Sequence, residues 1–430
     1  MKQLLFLLLL LPMLTHAQIK AKAVASIEPS FQKEIKKLSR RSVVRKAFQL
    51  IEDQNDQTLK DHIMLTEIEA PPFKEEKRAA KFMEMMKAVG IDSIWIDEVG
   101  NVLALRKGTS GKKTVALDAH LDTVFPEGTD VKVKMRGDTL YAPGIADDTR
   151  ALAILIRVLN VMNEANIKTD ANVLFVGSVG EEGLGDLRGV KHIFSDKGVK
   201  IDSWIAIDGG AIGRVNNQGL GSHRYKITYK GPGGHSWGAF GLANPHHALG
   251  SAIHYFTKAA NKFTAYGPKT SYNVGVIEGG TSINSVPFES SMLVDMRSVS
   301  PARLDSMDQI LLTVVRQATD AQNGIRRLGE ALTVDIEKIG DRPSGELSET
   351  LPLIQRAMAC TAYFGKRPEL TRGSTNSNIP IAMGIPAVTI GRGGVGRNAH
   401  SLDEWWLDVD GYKAAQMALL LVLSESGLSK

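Results

Sequence analysis

Short apolar runs alternate along the chain with longer segments in which apolar residues recur every three or four positions. Short apolar runs occur in KTVALDAHLDTV, ANVLFVGSVG and DSWIAIDGG, and such runs are typical of strands covered on both faces. DDTRALAILIRVLNVMNEAN, between the first two runs, has helical spacing. This βαβαβ rhythm predicts an α/β fold with a mostly parallel sheet between helices.

Segments on either side extend this pattern. Residues 27–66 have the spacing of helices, and SIWIDEVGNVLALRKG predicts a hairpin. LGDLRGVKHIF predicts another helix. Towards the C-terminus we expect a helix near 348–363, a strand at 387–390 and a last helix at 409–427.

The pattern changes near residue 217. From there the elements follow the order strand, helix, two strands, helix, strand, which favours a small two-layer α+β domain. We therefore predict a catalytic domain made of 18–216 and 341–430, with a dimerisation or lid domain inserted at 217–340. GDRPSGE (340–346) is interpreted as the returning linker.

The N-terminal segment, MKQLLFLLLLLPMLTHAQ, has one lysine, a leucine-rich core and small residues at Thr15 and Ala17. The core of about ten residues is too short to span a membrane, so the pattern predicts a signal peptide over 1–17. The alternative is a retained membrane anchor. Cys360 is the one cysteine, which rules out an intramolecular disulfide. We expect an exported bacterial protein, periplasmic or secreted, without a stable membrane anchor after cleavage.

The charge is nearly balanced, because the chain has 52 lysines and arginines and 47 acidic residues, which gives a net charge of +5. The densest basic stretch, KEIKKLSRRSVVRK at 33–46, places its charges between apolar residues at helical spacing. It indicates a solvated helix face, and we expect no nucleic-acid partner.

Acidic and histidine side chains collect where the predicted strands end, and the carboxyl ends of parallel strands share one edge. The candidates are His120, Asp122, Asp147, Asp148, Glu181, Glu182, Asp208 and His400. Taken singly, each is better explained as a helix cap, a turn residue or an exposed group. Together they offer the nitrogen and oxygen ligands of zinc or a similar divalent ion. The adjacent pair Glu181 and Glu182 also needs a positive partner, because buried like charges repel.

At this point the chain resembles a known family, from about residue 50 to 428. It is similar to the zinc-dependent exopeptidases and deacylases that include peptidase T, succinyl-diaminopimelate desuccinylase, acetylornithine deacetylase and bacterial glutamate carboxypeptidase. The matching stretches, in the family's order, are DAHLDTV, GIADDTRALA, GEEGLGDLRG, AIDGG, GPGGHSWG, GGTSINSVP, VDMRS and NAHSLDEW.

The resemblance implies two divalent metal ions, zinc first, with cobalt and manganese as alternatives. Their implied ligands are His120, Asp147, Glu182, Asp208 and His400. Asp147 would bridge the ions and precede a cis peptide bond to Asp148. Glu181 would be the general base, and Asp122 would brace His120. Asp208 stands where the deacylases usually have glutamate, which favours the peptidases.

For the inserted domain the resemblance implies substrate contacts. His235 would stabilise the oxyanion, Asn284 would hold the substrate backbone, and Arg297 would bind a substrate carboxylate. A homodimer through this domain is expected, although relatives include monomers. RGSTNSN (372–378) is expected to line the substrate pocket, and its simpler interpretation is a polar loop.

The function that follows is an exported co-catalytic di-zinc metallopeptidase that hydrolyses amide bonds of short peptides, as a di- or tripeptidase or aminopeptidase. The nearest alternative is an N-acyl-amino-acid deacylase or carboxypeptidase with the same site. A non-catalytic peptide- or metal-binding protein is less favoured, because it would not need Glu181.

Overall fold

The computed structural model describes residues 26–429, so the predicted signal peptide lies outside the described residues. The helices of the described part are α1 Pro29–Ser39, α2 Ser42–Asp53, α3 Asn55–Thr66, α4 Glu76–Ala88, α5 Thr149–Glu164, α6 Arg188–Ile193, α7 Pro245–Thr264, α8 Pro301–Gly324, α9 Pro352–Tyr363, α10 Asn378–Ala382 and α11 Tyr412–Ser426.

The strands are given in two groups, those before β9 and those from β9 onward. The first group is β1 Ser93–Ile96, β2 Val102–Arg106, β3 Thr114–His120, β4 Lys134–Arg136, β5 Thr139–Tyr141, β6 Asn172–Ser178, β7 Ser203–Ile207 and β8 Arg214–Gly219. The second is β9 Gly221–Lys230, β10 Gly234–His235, β11 Thr270–Gly279, β12 Ser285–Val286, β13 Glu289–Ser298, β14 Thr333–Arg342, β15 Gly345–Glu346, β16 Glu369–Gly373, β17 Ala387–Ile390, β18 Val395–Arg397 and β19 Trp405–Leu407.

The largest sheet has the strand order β1-β2-β6-β3-β7-β17-β8-β15, and β16 also pairs with β8. Its middle strands β6, β3, β7 and β17 run parallel, and β1 and β2 run antiparallel to their neighbours. β8 runs antiparallel to β17 and β15 but parallel to β16. His120 lies opposite Ser178, so β3 and β6 end at the same level. This is the mostly parallel α/β sheet that the apolar runs predict, and its strand ends meet at one edge.

Helices cover this sheet because their apolar residues recur at helical spacing. The predicted helical region before β1 forms three helices, and α2 buries Val44, Ala47 and Ile51 on one stripe. α5 is buried along almost its whole length, because it lies between the sheet and the outer helices. No helix in the described part combines the length and apolar character needed to cross a bilayer.

A second sheet, with strand order β11-β13-β9-β14, is antiparallel throughout. Tyr225, Ile227 and Tyr229 alternate along β9 towards one face, where they share a core with α7 and α8. The chain leaves the largest sheet after β8 and rejoins it in β15. The two-layer α+β unit is thus an insertion, as predicted; the domain limits given above stay a prediction.

A third, small sheet has the order β18-β19-β5-β4 and positions two loops that carry candidate ligands. Asp147 follows β5, and His400 lies between β18 and β19. Trp406 on β19 is fully buried against Leu140 and Ile145, so the two loops share one small core.

One helix is shorter than predicted. LGDLRGVKHIF forms a single 3₁₀ turn over Gly183–Gly185 and then α6. Asp186 and Leu187 between them have φ of 52° and 58°, in the left-handed region that a helix cannot include.

Candidate metal centre

The carboxyl edge of the largest sheet gathers the side chains that the sequence singled out. Three overlapping groups each have ligand atoms within 4.8 Å of one another. They are His120 with Asp147, Asp148 and Asp208; His120 with Glu181 and Glu182; and Asp147 with Glu182 and His400. All five predicted ligands are therefore within this one cluster, and Asp147 belongs to two of the three groups.

His120 and Asp147 form the centre of this arrangement. Nε2 of His120 lies 3.1 Å from Oδ1 of Asp147, and its Nδ1 lies 3.0 Å from the backbone oxygen of Asp122. The Asp147–Asp148 peptide bond is cis, as the resemblance implies. Asp208 follows β7, where its backbone N–H donates to Ile390 O on β17 at 3.0 Å.

His400 completes the other side of the cluster. Its Nε2 lies 2.8 Å from Oε1 of Glu182 and 3.4 Å from Oδ2 of Asp147. Asp147 thus directs one carboxylate oxygen to each histidine, which is the geometry of a bridging carboxylate. The ring of His400 is half exposed, so the cluster opens to solvent on this side.

The turn that carries Glu181 and Glu182 is held by Asp122. Its two carboxylate oxygens accept the backbone N–H groups of Glu181 at 3.0 Å and Glu182 at 2.7 Å. The carboxylate lies 3.6 Å from Nδ1 of His120. Asp122 therefore fixes the glutamate turn more directly than it fixes the histidine; its predicted bracing role stays a prediction.

The charges within the cluster shift one another's protonation. Burial disfavours a charged His120, but contacts with Asp122 and Asp147 hold its pKa well above its usual range. Contacts with Asp147 and Glu182 raise the pKa of His400 to about 10. Burial favours a protonated Asp147, yet the two histidines hold its pKa below its usual range.

Arg342 is a site residue that the sequence analysis missed, because GDRPSGE was interpreted as a linker. Its side chain is buried, and its Nη1 donates to Oε1 of Glu181 at 3.3 Å and to Oγ of Ser374 at 3.1 Å. Its Nη2 donates to the backbone oxygen of Glu181. Burial raises the pKa of Glu181 well above its usual range; Arg342 opposes this shift and Glu182 adds to it. No local sequence signal marks this arginine as buried.

Glu404 is a second missed residue, although it stands within the quoted motif NAHSLDEW. It is fully buried, and its carboxylate accepts the N–H of Gly144 at 2.9 Å and that of Ala146 at 2.7 Å. Its position four residues after His400 was the available signal. One turn thus supplies a candidate ligand and holds the loop before Asp147.

The residues present fit a pair of divalent ions. Two imidazole nitrogens and several carboxylate oxygens converge at a mostly buried place, which is the donor set that zinc and similar ions prefer. The side chains that would hold the ions are His120, Asp147, Glu182, Asp208 and His400.

The predicted substrate residues lie in or beside the insertion. The exposed His235 is paired across a short ladder with Ser285, and the backbone oxygen of Asn284 accepts the N–H of Ser236 at 2.9 Å. Arg297 on β13 donates to Asp295 at 2.8 Å. No hydrogen bond or ion pair joins His235, Asn284 or Arg297 to the metal cluster within residues 26–429.

RGSTNSN is buried over residues 375–378, and its expected place in the substrate pocket stays a prediction. Thr375, Asn376, Ser377 and Asn378 are buried. Asn376 donates to Oδ2 of Asp118 at 2.8 Å. This segment builds a polar network below the cluster, because buried polar groups need partners.

Comparison with known proteins agrees with this architecture. The model of Peptidase family M20/M25/M40 matches residues 116–424. A putative [LysW]-lysine/[LysW]-ornithine hydrolase of Pyrobaculum aerophilum is 26% identical over 84% of this chain and 95% of its own length.

Two solved structures show the same fold. A tripeptidase from Staphylococcus aureus has a TM-score of 0.66 at 22% identity, covering 86% of this chain and 97% of its own. The YXEP protein of Bacillus subtilis, described as a dinuclear metal binding peptidase, has a TM-score of 0.61 at 18% identity, covering 87% and 99%. The family match spans well over half of the chain and includes every residue of the cluster, so this protein belongs to Peptidase family M20/M25/M40 and is a metal-dependent hydrolase.

Proposed function

We propose that this protein is an exported di-zinc metallopeptidase that hydrolyses amide bonds of short peptides. The observation that carries the proposal is the place of Glu181. Its carboxylate shares a group within 4.8 Å with His120 and Glu182, so a base stands beside two candidate ligands. A protein that only binds metal or peptide has no use for such a base.

The chemistry divides between the metal ions and the chain. When bound, divalent ions activate water and polarise the scissile carbonyl. Glu181 would take the proton of the attacking water and pass it to the leaving amine. Burial raises the pKa of Glu181, which favours uptake of a proton by this carboxylate. Arg342 holds the other face of the glutamate, so the carboxylate keeps one orientation.

Substrate binding is assigned to the inserted unit. His235 would stabilise the oxyanion, Asn284 the substrate backbone, and Arg297 a substrate carboxylate. Because His235 is exposed and forms no hydrogen bond or ion pair with the metal cluster within residues 26–429, we propose that a homodimer brings it to the partner's site. Export is supported by the N-terminal sequence alone.

The rival function is hydrolysis of an N-acyl amino acid, or carboxypeptidase action, by the same centre. The similarity to a hydrolase of [LysW]-lysine supports it, whereas the tripeptidase and Asp208 support the peptidase. The geometry of the cluster serves all three reactions, because each hydrolyses an amide.

The test is a substrate panel on protein of measured metal content. Dipeptides and tripeptides are compared with N-acetyl and N-succinyl amino acids, with zinc, cobalt or manganese added. We expect hydrolysis of free short peptides, loss of activity on chelation, and recovery when the metal is restored. Faster hydrolysis of the acylated amino acids would establish the rival, and a fully metallated protein that hydrolyses none of these would overturn both.

A further inference from the structure

A second group of polar side chains lies beside the metal cluster and has donors without acceptors. Arg392 follows β17 and is 5% exposed, and neither its Nε nor its Nη1 has a hydrogen-bond partner in the part of the chain that the structure describes. Asn216 on β8 is 0% exposed, and its Nδ2 is also without a partner. A buried donor left unpaired is unfavourable, so these atoms require an acceptor.

Arg214, at the start of β8, joins these donors. A Cβ placed on Gly209 would lie 3.0 Å from Nη1 of Arg214 and 3.4 Å from Nη1 of Arg392. A Cβ on Gly373 would lie 2.6 Å from both Nη2 of Arg214 and Nδ2 of Asn216. The donors thus surround two positions where the chain has only glycine, and a side chain at either would obstruct them.

Two guanidinium groups that converge on one glycine repel each other unless an anion lies between them. Within the described chain neither guanidinium forms a hydrogen bond or an ion pair. Asp208 feels the charge of both arginines, but it is also a candidate metal ligand. Its negative charge would therefore be shared with a metal ion.

Other acids surround Arg392 without pairing with it. Asp147, Asp148 and Glu404 lie within the electrostatic influence of this guanidinium. The carboxylate of Glu404 is already occupied by two backbone N–H groups. The Nε and Nη1 donors of Arg392 therefore have no acceptor among residues 26–429.

We propose that Arg214, Asn216 and Arg392 form an anion subsite that binds a carboxylate of the substrate beside the metal centre. Paired guanidinium groups match the planar geometry of a carboxylate. Gly209 directly follows Asp208, so the subsite adjoins the place where the scissile bond would lie. The inference rests on the proposed hydrolase function and narrows its substrates to anionic ones.

Matched substrates test which carboxylate is recognised. The dipeptide Glu-Ala is compared with its neutral isostere Gln-Ala for a carboxylate on the acyl side. Ala-Ala is compared with Ala-Ala amide for one on the amine side. We expect the charged member of one pair to have a kcat/KM at least about tenfold higher, since charge-assisted hydrogen bonds are strong.

Variants assign that preference to the subsite. Arg392→Met and Arg214→Met should each reduce the preference towards unity, mainly through KM, while Arg392→Lys should retain part of it. Arg367→Met, which removes an exposed arginine, is the matched control and should leave it unchanged. If Arg297→Met abolishes the preference for the charged substrate and Arg392→Met does not, the inserted unit binds the carboxylate and the proposal is overturned.

Calorimetry on the metal-loaded protein decides the inference independently of turnover. Succinate should bind, succinamide should not, and Arg392→Met at unchanged metal content should weaken succinate binding at least about tenfold. Equal binding of succinate by wild type and variant would refute the subsite. Phosphate that binds through the arginines without competing with the peptide would show a site for free anions, and would refute substrate recognition. A wild type that hydrolyses no peptide yet binds succinate would remove the proposed peptidase function and leave the subsite standing.

Discussion

At the residue scale, the adjacent carboxylates Glu181 and Glu182 have different surroundings and therefore different properties. Glu182 faces His400, whereas Glu181 faces Arg342 and carries a raised pKa. Burial and the like-charged neighbour Glu182 raise the pKa of Glu181, which supports its proposed role as the proton acceptor, while His400 lies against Glu182, its proposed fellow ligand. The two adjacent carboxylates thus have different surroundings, and we propose different roles for them.

Glu181→Gln tests this division. The amide oxygen of glutamine can still accept from Arg342, so the turn should keep its shape, but the base is lost. We expect unchanged metal content and a kcat lower by about 10²–10⁴-fold, measured on protein with assayed metal. Glu182→Gln is the control, and it should lose metal affinity instead. Turnover near the wild-type rate in fully metallated Glu181→Gln would exclude the base assignment.

At the element scale, the small sheet joins the two ligand-bearing loops. The turn between β18 and β19 contributes His400 and also Glu404, whose carboxylate fixes the backbone of Gly144 and Ala146. His62 from α3 supports the same loop, since its Nε2 lies 2.6 Å from the backbone oxygen of Ile145. The position of Asp147 is therefore set from two sides.

Glu404→Gln should loosen this loop, because one N–H of the pair would then face an amide donor. We expect metal affinity to fall by about 10–100-fold while the protein stays folded. Chelator competition measures the affinity, and Asp403→Asn, an exposed neighbour, is the control. An unchanged affinity in Glu404→Gln would show that the loop does not depend on this carboxylate.

At the scale of the whole molecule, the inserted unit is tied to the catalytic part near the glutamate turn. The N–H of Asp341 donates to both oxygens of Asp186 at 3.0 Å. Arg224 donates to the backbone oxygen of Gly183, and Arg342 reaches Glu181. A movement of the inserted unit would therefore be transmitted to Glu181, the candidate base.

His223 stabilises this junction in a pH-dependent way. Burial lowers the pKa of His223, but contacts with Asp308 and Asp341 outweigh it and raise the pKa to about 9, while Lys338 opposes them. Because the pKa of His223 is higher in the folded state, the charged ring contributes its full stabilisation of the fold below the unfolded pKa of about 6.5. This stabilisation is lost as the pH rises through the folded pKa of about 9.

His223→Gln should consequently lower the free energy of unfolding by about 1–3 kcal/mol at pH 6 and by much less at pH 10. Urea unfolding of both proteins at the two pH values measures the difference. His254→Gln, on the outer helix α7, is a control without such partners. A loss of equal size at both pH values would mean that the ion contacts of His223 do not titrate in this range.

The sequence allowed prediction of those features of the fold and the site that depend on local patterns of residues. Apolar runs and helical spacing predicted the layers, and the quoted motifs led to each residue of the metal cluster. They did not reveal Arg342, because in a polar stretch of sequence an arginine that becomes buried cannot be told from one that stays exposed. They also did not reveal the buried hydrogen bonds of RGSTNSN, since Asp118, the partner of Asn376, is distant in the chain.

What the amino-acid order determined by itself was the alternation of strand and helix, the insertion and the residue types at the strand ends. These depend on side-chain period and on neighbours a few positions apart. The tertiary structure alone decided which oxygen of Asp147 faces which histidine, and that Arg342 faces Glu181. It alone brought Arg214 and Arg392 to one glycine, because these contacts join segments that only the packed sheet brings within hydrogen-bonding distance.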